Sequence, residues 1–175
     1  MELVEVGRSD EALLLDLLNT TPVVNGVQSD VLAALTAARA WLCEHGATEA
    51  ELAELVAARN VLQAVVRGSA SAIALEPFLN AVELRASATA DGLGWELETD
   101  DAKRGAVRAI LAWDALRIAS PGRLRACANP DCRLFLIDRS KPNTARWCSM
   151  ATCGNRMKAR RYHQRARSVE TDEQS

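Results

Sequence analysis

The sequence predicts a mainly α-helical protein that ends in a small zinc finger. Apolar residues recur at helical spacing through residues 1–120, and four cysteines fall in two close pairs further on, with an arginine-rich run directly after them. We expect a helical N-terminal domain with a small β-hairpin over residues 1–120, which we call the helical body. We expect residues 121–168, the finger, to be a treble-clef-like four-cysteine zinc finger ending in a basic helix. Residues 169–175 read as an acidic disordered tail.

Charge is divided unevenly along the 175 residues. Residues 123–167 hold 12 Lys and Arg against two Asp, a balance of +10, whereas residues 1–122 carry −9 and residues 168–175 carry −3. Zinc bound by four thiolates would lower the charge of the finger to about +8. A concentrated cationic patch on an acidic body favours nucleic acid or another polyanion as partner.

The composition also bears on compartment. No apolar run approaches membrane-spanning length, and the N-terminus lacks the basic-then-apolar pattern of a signal peptide. We therefore expect a cytoplasmic protein with no membrane partner. Paired cysteines in that reducing compartment favour a metal over a disulfide.

Three helices are predicted in the first half of the body. Ser9, Asp10 and Glu11 cap the first, which is apolar nearly all round from Ala12 to Leu18. The second begins at Ser29-Asp30 and ends near His45-Gly46, with an apolar face formed by Val31, Leu35, Ala38 and Leu42.

Thr48 and Glu51 form a capping box at the start of the third helix, which ends at Arg67-Gly68. Its apolar stripe consists of Leu52, Leu55, Leu62 and Val65.

In the second half of the body the sequence predicts a short helix, a hairpin and a central helix. The short helix starts near Pro77. Alternation over residues 93–97 after Asp91-Gly92 predicts a half-buried strand paired with residues 84–90. Asp100-Asp101 caps a helix over residues 102–119 that is apolar on most sides, and Pro121-Gly122 marks the junction with the finger.

The body shows no catalytic constellation, so we expect no enzyme. His45 lies near a helix end, where an exposed or capping role is expected, and Cys43 is a lone thiol for which inert packing is the default. Asp16 and Asn19 interrupt an apolar helix and need partners. We expect them to anchor a loop, with a small ligand pocket as the alternative.

Spacing predicts one structural Zn²⁺ held by Cys127, Cys132, Cys148 and Cys153. His163 follows Cys153 by ten helical residues, roughly 15 Å at 1.5 Å per residue, and is too far away to share the ion. A site closed by four thiolates supports structure rather than hydrolysis, which needs an open position. Iron is the competing metal, and a colourless protein would exclude it.

Within the finger we expect a knuckle at Asn129-Pro130-Asp131, then a hairpin, then a helix capped by Ser149 with Cys153 in its first turn. Trp147 and Phe135 are expected to form the miniature core of the finger, with base stacking as the alternative.

The helix after Cys153 carries two cationic stripes and a third face of Ala159, Tyr162 and Ala166, small enough to dock on another element. The alternative is a solvated helix that partly offsets the charge of the zinc–thiolate cluster, for which one or two arginines suffice. We favour phosphate contacts, because the planar fork of arginine matches phosphate or a guanine edge. The candidate nucleic-acid-binding residues are Arg139, Lys141, Arg146, Arg156, Lys158, Arg160, Arg161, His163, Arg165 and Arg167.

The run Cys127-Ala128-Asn129-Pro130-Asp131-Cys132, followed by Arg146 to Arg156 with Cys153-Gly154-Asn155-Arg156, closely resembles the CGNR zinc finger family. Upstream, Leu15 to Thr20 and Trp41-Leu42 resemble the ABATE domain that accompanies this finger in bacteria, although the first helix is leucine-rich where family members often carry an aromatic residue. The resemblance implies a stress-induced transcriptional regulator with the four cysteines as zinc ligands.

We therefore expect a DNA-binding regulator whose body senses a signal, through an unidentified small ligand, or forms a homodimer. An RNA-binding protein is the first alternative. A module whose basic helix docks on an acidic protein surface, including its own body, is the second. Replacing Cys148 by serine should unfold the finger and leave the body helical.

Overall fold

The computed structural model describes residues 8–24, 26–90 and 92–172. The α-helices within these residues are α1 (Arg8–Leu18), α2 (Leu35–Glu44), α3 (Leu52–Val66), α4 (Glu76–Leu79), α5 (Arg104–Ala119) and α6 (Asn155–Asp172). The strands form three antiparallel pairs, β1 (Val23–Val24) with β2 (Val27–Gln28), β3 (Glu83–Thr89) with β4 (Gly92–Glu98), and β5 (Leu124–Ala126) with β6 (Phe135–Ile137). No helix in the described ranges is both long enough and apolar enough to cross a membrane.

Helices α1, α3 and α5 pack together to form the core of the body. Leu14, Leu17 and Leu18 of α1 are fully buried, which is why that helix is apolar on several sides. Burying one leucine is worth about 1.5–3 kcal/mol. Helix α5 runs through the centre, as the sequence predicted, and its buried residues are Gly105, Ala106, Val107, Ala109, Ile110, Ala112 and Leu116.

The predicted capping box is confirmed on a 3-10 turn, Glu49–Glu51, that directly precedes α3, and it also ties this turn to α5. The Thr48 backbone N–H donates to Glu51 Oε1 at 2.8 Å, and the Gly105 N–H donates to Glu51 Oε2 at 2.7 Å. A Cβ at Gly105 would lie 2.8 Å from that oxygen, so the approach depends on glycine. The buried Glu51 carboxylate thereby joins two helices.

The predicted apolar face of the second helix is wrong in its first half. Asp30 caps the start as expected, accepting from Leu32 N–H at 2.9 Å. A 3-10 turn, Val31–Ala33, comes first, and Ala34 is extended before α2 begins. This break resets the periodicity, so Leu35 is 56% exposed. The buried residues are Leu32, Ala38, Trp41 and Leu42.

His45 caps α2 as predicted, but it is not isolated. Its ring stacks on Trp41 with centroids 4.1 Å apart, and its Nε2 lies 3.2 Å from the Asp16 carboxylate. Both Asp16 and His45 line a shallow groove of about 280 Å³ on the body surface. Cys43 is exposed, so the predicted packing of this thiol is wrong.

The predicted hairpin forms with Ala86 opposite Trp95, although Asp91 of its turn lies outside the described residues. The expectation of a half-buried strand is wrong, because Leu93 is 64% and Trp95 is 42% exposed. Alternation correctly predicted which side chains share a face, but that face lies in solvent.

Helix α6 continues to Asp172, so residues 169–172 are helical where the sequence predicted a disordered tail. Residues 173–175 lie outside the described part of the chain.

Candidate metal centre and basic helix

The first cysteine pair lies in the loop between β5 and β6. Leu124 pairs with Ile137 and Ala126 with Phe135, so the knuckle lies between the two strands of the hairpin. The sequence had suggested that the hairpin follows the knuckle, and that order is wrong. Cys127 directly follows β5, and its N–H donates to the Leu134 carbonyl at 2.8 Å. The two strands thus fix both ends of the knuckle.

The second pair lies at the entry to α6. Ser149 caps a five-residue π-helical turn, Met150–Gly154, and its Oγ accepts from Thr152 N–H at 3.4 Å. This confirms the predicted cap and places Cys153 in the first turn. A Cβ at Gly154 would lie 2.7 Å from the Met150 sulfur and 3.3 Å from the Trp147 ring, so the chain packs tightly just after the ligand.

The four cysteine sulfurs lie within 4.8 Å of one another. Cys148 Sγ is 3.7 Å from both Cys132 Sγ and Cys153 Sγ. A tetrahedral zinc site with Zn–S bonds of about 2.3 Å has sulfur–sulfur edges of about 3.8 Å. Two of the sulfur–sulfur distances match these edges, and the four sulfurs together form a site for one structural zinc ion, as the spacing predicted.

Hydrogen-bond donors surround the sulfurs. Asn129 is a buried non-ligand whose side-chain amide donates to Cys153 Sγ at 3.4 Å, while its Oδ1 accepts from Asp131 N–H at 3.2 Å. Such donors favour thiolate over thiol. The backbone supplies two more, from Leu134 N–H to Cys132 Sγ at 3.5 Å and from Cys148 N–H to Cys127 Sγ at 3.4 Å.

The thiols differ in acidity in the metal-free site. Burial raises the pKa of Cys132 to about 11 and also raises the pKa of Cys148 above its ordinary value. Burial acts in the same direction on Cys153, but hydrogen bonds, foremost from Asn129, bring the pKa of that thiol below its ordinary value. Neighbouring thiolates repel one another, so the four thiols are not all deprotonated at once in the metal-free site. A divalent cation must therefore displace the remaining protons as it binds.

The finger is anchored to the body through β6. Asn19 at the end of α1 accepts from Phe135 N–H at 2.7 Å and donates to the Phe135 carbonyl at 3.3 Å. The Phe135 ring is 1% exposed, belongs to the core of the body and lies 4.3 Å from the Arg67 guanidinium. Asn19 has the anchoring role predicted for it, although it holds strand β6 and not a loop, and it also lines the groove beside His45. The prediction that Phe135 forms a miniature core confined to the finger is wrong.

A buried aspartate orders the loop that carries further cations. Asp138 accepts from Ser140 N–H at 2.8 Å, Ala145 N–H at 2.7 Å and Arg125 Nη2 at 3.1 Å. Hydrogen bonds from Ser140, together with the other donors, hold the pKa of Asp138 below its ordinary value. This loop presents Arg139, which forms an ion pair with Glu11 of α1, and the exposed Lys141.

The basic helix α6 is largely exposed to solvent. The side chains described between Asn155 and Gln164 are exposed, except that Met157 is half-buried. The face described as small enough to dock on another element is exposed at Ala159 and at Tyr162, whose exposed fraction is 73%.

The cations predicted to bind nucleic acid lie on α6 and in the segment that precedes it. Arg146, Arg156, Lys158, Arg160 and Arg161 are exposed. Arg160 is paired with Asp131 of the knuckle at 3.2 Å, and Arg146 lies 5.3 Å from the half-buried Trp147 ring. His163, Arg165 and Arg167 lie on α6, but their side chains, like that of Ala166, are outside the described part of the structure.

These features define a mainly helical protein with a four-cysteine zinc site at the base of a basic helix. Residues 123–166 match the family model of the CGNR zinc finger, in agreement with the residues that suggested it. None of the curated proteins compared with the chain matches it significantly.

Proposed function

We propose that this protein is a zinc-dependent transcriptional regulator that binds DNA through α6, with the helical body sensing a signal or forming a dimer. The exposed cations of α6, on a helix whose entry is fixed by the zinc ligand Cys153, are the observation that carries the proposal. The treble-clef-like topology, the likeness of the body to the ABATE domain, and a stress-related role in a bacterial cytoplasm belong to this proposal. A site closed by four thiolates gives no reason to add an enzymatic activity.

The dimensions of α6 suit a nucleic-acid groove. Eighteen residues span about 27 Å at 1.5 Å per residue. The major groove of B-DNA is about 12 Å wide and admits one α-helix. Because α6 exposes cations on more than one side, phosphates on both walls of a groove can be contacted at once.

Charge repulsion within α6 supports a polyanionic partner over a merely solvated helix. Arg156 and Arg160 are four residues apart, and like charges at that spacing destabilise an isolated helix by about 0.2–0.5 kcal/mol. Arg160 has Asp131 close by, whereas Arg156, Lys158 and Arg161 remain exposed. Phosphate groups would convert this repulsion into attraction.

Fluorescence anisotropy with a mixed-sequence DNA duplex tests the proposal in the zinc-loaded protein. We expect binding that weakens steeply with salt, since each phosphate contact contributes about −0.9 to the slope of log affinity against log salt. The triple variant Arg156→Gln/Arg160→Gln/Arg161→Gln should make that slope shallower by roughly 2–3. Selection from a random duplex pool would then identify a preferred site.

The matched control is Arg39→Gln/Arg104→Gln/Arg117→Gln, which removes three positive charges from exposed ion pairs on the body. It should bind DNA as the parent does. Equal losses in the two triple variants, or binding that is insensitive to salt, would contradict recognition by α6.

RNA binding is the second candidate, supported by the Arg146 and Trp147 pair beside the zinc site. Arginine over an aromatic ring is a surface on which an unpaired base can stack. Competition between the labelled duplex and single-stranded RNA separates the two candidates. If RNA displaces DNA at much lower concentration, the nucleic-acid assignment changes while α6 keeps its role.

If the body senses a small ligand, the groove beside His45 is where that ligand would bind. Its lining combines the Trp41 ring with the side chains of Asp16 and Glu44. Acidic groups beside an aromatic ring favour a cationic or hydrogen-bonding ligand.

A further inference from the structure

The β3–β4 hairpin has one apolar face and one polar face. Pairing of Leu84 with Leu97, Ala86 with Trp95 and Ala88 with Leu93 places six apolar side chains on the same face. The opposite face carries Glu83, Arg85, Ser87, Glu96 and Glu98.

The apolar face lies in solvent. Five of its six residues are exposed, namely Leu84, Ala86, Ala88, Leu93 and Trp95, and Leu97 is half-buried. A two-stranded hairpin is marginally stable on its own, so a partner that covered its apolar face would stabilise it. The alternation of this hairpin therefore suits a partner more than it suits the body.

The shape of the face identifies the partner. Large side chains lie along β4, from Leu93 through Trp95 to Leu97. On β3 the small Ala86 and Ala88 lie beside Trp95 and Leu93, and Leu84 closes this groove at the Leu97 end. The face is thus a ridge next to a groove, and such a surface is complementary to itself. An isologous contact requires this property, since each copy must supply both halves.

We propose that the apolar face of the hairpin packs face to face on the same face of a second copy of this chain. A twofold axis parallel to the strands places the β4 ridge of each copy over the β3 groove of the other. In that arrangement Trp95 lies over Ala86 of the second copy, and Leu93 lies over Ala88 of the second copy.

Charge agrees with this orientation. The apolar face carries no ionisable side chain, so two copies meet there without repulsion. The polar face carries three glutamates against Arg85, which is paired with Glu98, so two such faces would repel each other. Association through the opposite face is thereby disfavoured.

The area of the face sets the expected strength of the dimer. Seven residues per strand span about 24 Å, and two strands about 4.8 Å apart give a face on the order of 240 Å². A standard stable interface buries about 800 Å² per partner. The hairpin dimer is therefore weak and concentration-dependent, and two fingers bound to one DNA would strengthen it.

This inference rests on the proposed function, which assigns dimerisation to the helical body, but its test uses no nucleic acid. Sedimentation equilibrium of the full zinc-loaded chain over a wide concentration range should show a monomer–dimer equilibrium. Leu93→Glu places a charge on the apolar face and should shift the midpoint at least tenfold to higher concentration. Ser87→Glu places the same charge on the polar face of the same hairpin and should leave the midpoint unchanged.

Both substitutions are at exposed positions, and circular dichroism with zinc content shows whether each variant is folded. A parent chain that stays monomeric at every concentration would overturn the proposal and leave the face for a different protein. Equal dimerisation of the two variants would overturn it too. DNA binding by α6 can persist in either case, so the two proposals fail separately.

A mixing experiment tests the arrangement of the two copies. Ala88→Lys should weaken self-association like Leu93→Glu, because each adds a charge at the same contact. An equimolar mixture should recover a heterodimer, since Glu at 93 of one copy then faces Lys at 88 of the other. A mixture that stays monomeric would overturn the face-to-face twofold arrangement.

Discussion

Asn129 serves the zinc site without being a ligand. Its buried amide donates to Cys153 Sγ at 3.4 Å, and its Oδ1 accepts from Asp131 N–H, so one side chain connects the knuckle to the second cysteine pair. The amide has to present its nitrogen to the sulfur and its oxygen to the backbone. Neither a carboxylate nor an apolar residue can do both.

Asn129→Asp tests this role with almost no change in volume. The carboxylate keeps the acceptor for Asp131 N–H, but it replaces the donor to Cys153 by a negative charge beside a thiolate. We expect zinc affinity, measured by competition with a chromogenic chelator, to fall about 10–100-fold. Asp131→Asn is the control, because that exposed side chain contacts Arg160 and no sulfur. Equal affinities in the two variants would show that the Asn129 bond has no influence on the metal.

At this scale the sequence predicts ligands better than their supports. Two close pairs of identical soft ligands identify the zinc site from spacing alone. From the sequence, Asn129 is predicted only to be a turn residue. Its role as a donor could not be predicted, because the acceptor, Cys153, is 24 residues away in the chain and lies next to it only in the folded protein. Asn19 could be predicted to need a partner, but not that the partner is the Phe135 backbone.

At the scale of elements, α6 is a helix held at one end. Ser149 and Cys153 fix its entry, and beyond Met157 the described side chains are exposed. An element with so little burial contributes little to the stability of the rest of the chain. This exposure agrees with the proposed function, in which the partner of α6 is nucleic acid.

A chain truncated after Lys158 should separate these roles. It keeps the four cysteines and Met157 but loses Arg160, Arg161 and the remainder of α6. Zinc content and the thermal midpoint should stay within error of the parent, while anisotropy should show at least a tenfold loss of DNA affinity at low salt, since most α6 cations are gone. A large drop in the thermal midpoint would instead mean that α6 packs on the body. The control is a chain ending at Asp172, which should bind as the parent does.

Element starts were more predictable than the surfaces they bury. Thr48 with Glu51, Asp30 and Ser149 all mark real starts, because capping is local chemistry. Which face of α2 is buried was wrong because extended Ala34 interrupts the helical period. Alternation gave the faces of the β3–β4 hairpin but not their exposure, because periodicity does not show what covers a strand.

For the whole molecule, the finger and the body share one core. Phe135 of the finger is buried among residues of the body and bonded through its backbone to Asn19, which is 116 residues earlier in the chain. Arg67 of the body adds a hydrogen bond to the Arg133 carbonyl. Contacts between residues so far apart in the chain depend on the complete fold and cannot be predicted from local sequence. For this reason composition and the Pro121-Gly122 junction suggested that the body and the finger are more independent of each other than they are.

The shared core changes what zinc removal should do. Without the metal the loop between β5 and β6 loses its link to the second cysteine pair, so we expect the burial of Phe135 and its two hydrogen bonds with Asn19 to weaken. Loss of a buried aromatic side chain costs about 3–5 kcal/mol. For a chain of this size each kcal/mol shifts the thermal midpoint by about 2–4 °C. The body should therefore remain helical after zinc removal but unfold at a temperature lower by roughly 6–20 °C.

Circular dichroism at 222 nm with and without a zinc chelator measures this shift. Cys148→Ser should unfold at the temperature of the chelated parent and show no further change with chelator, which separates metal loss from any direct effect of the reagent. Asn19→Ala removes the link between α1 and β6 while leaving the four ligands in place, so it should bind zinc yet show a smaller zinc-dependent shift. An unchanged midpoint for the body after complete zinc loss would mean that Phe135 stays packed without the metal, and that body and finger are energetically independent.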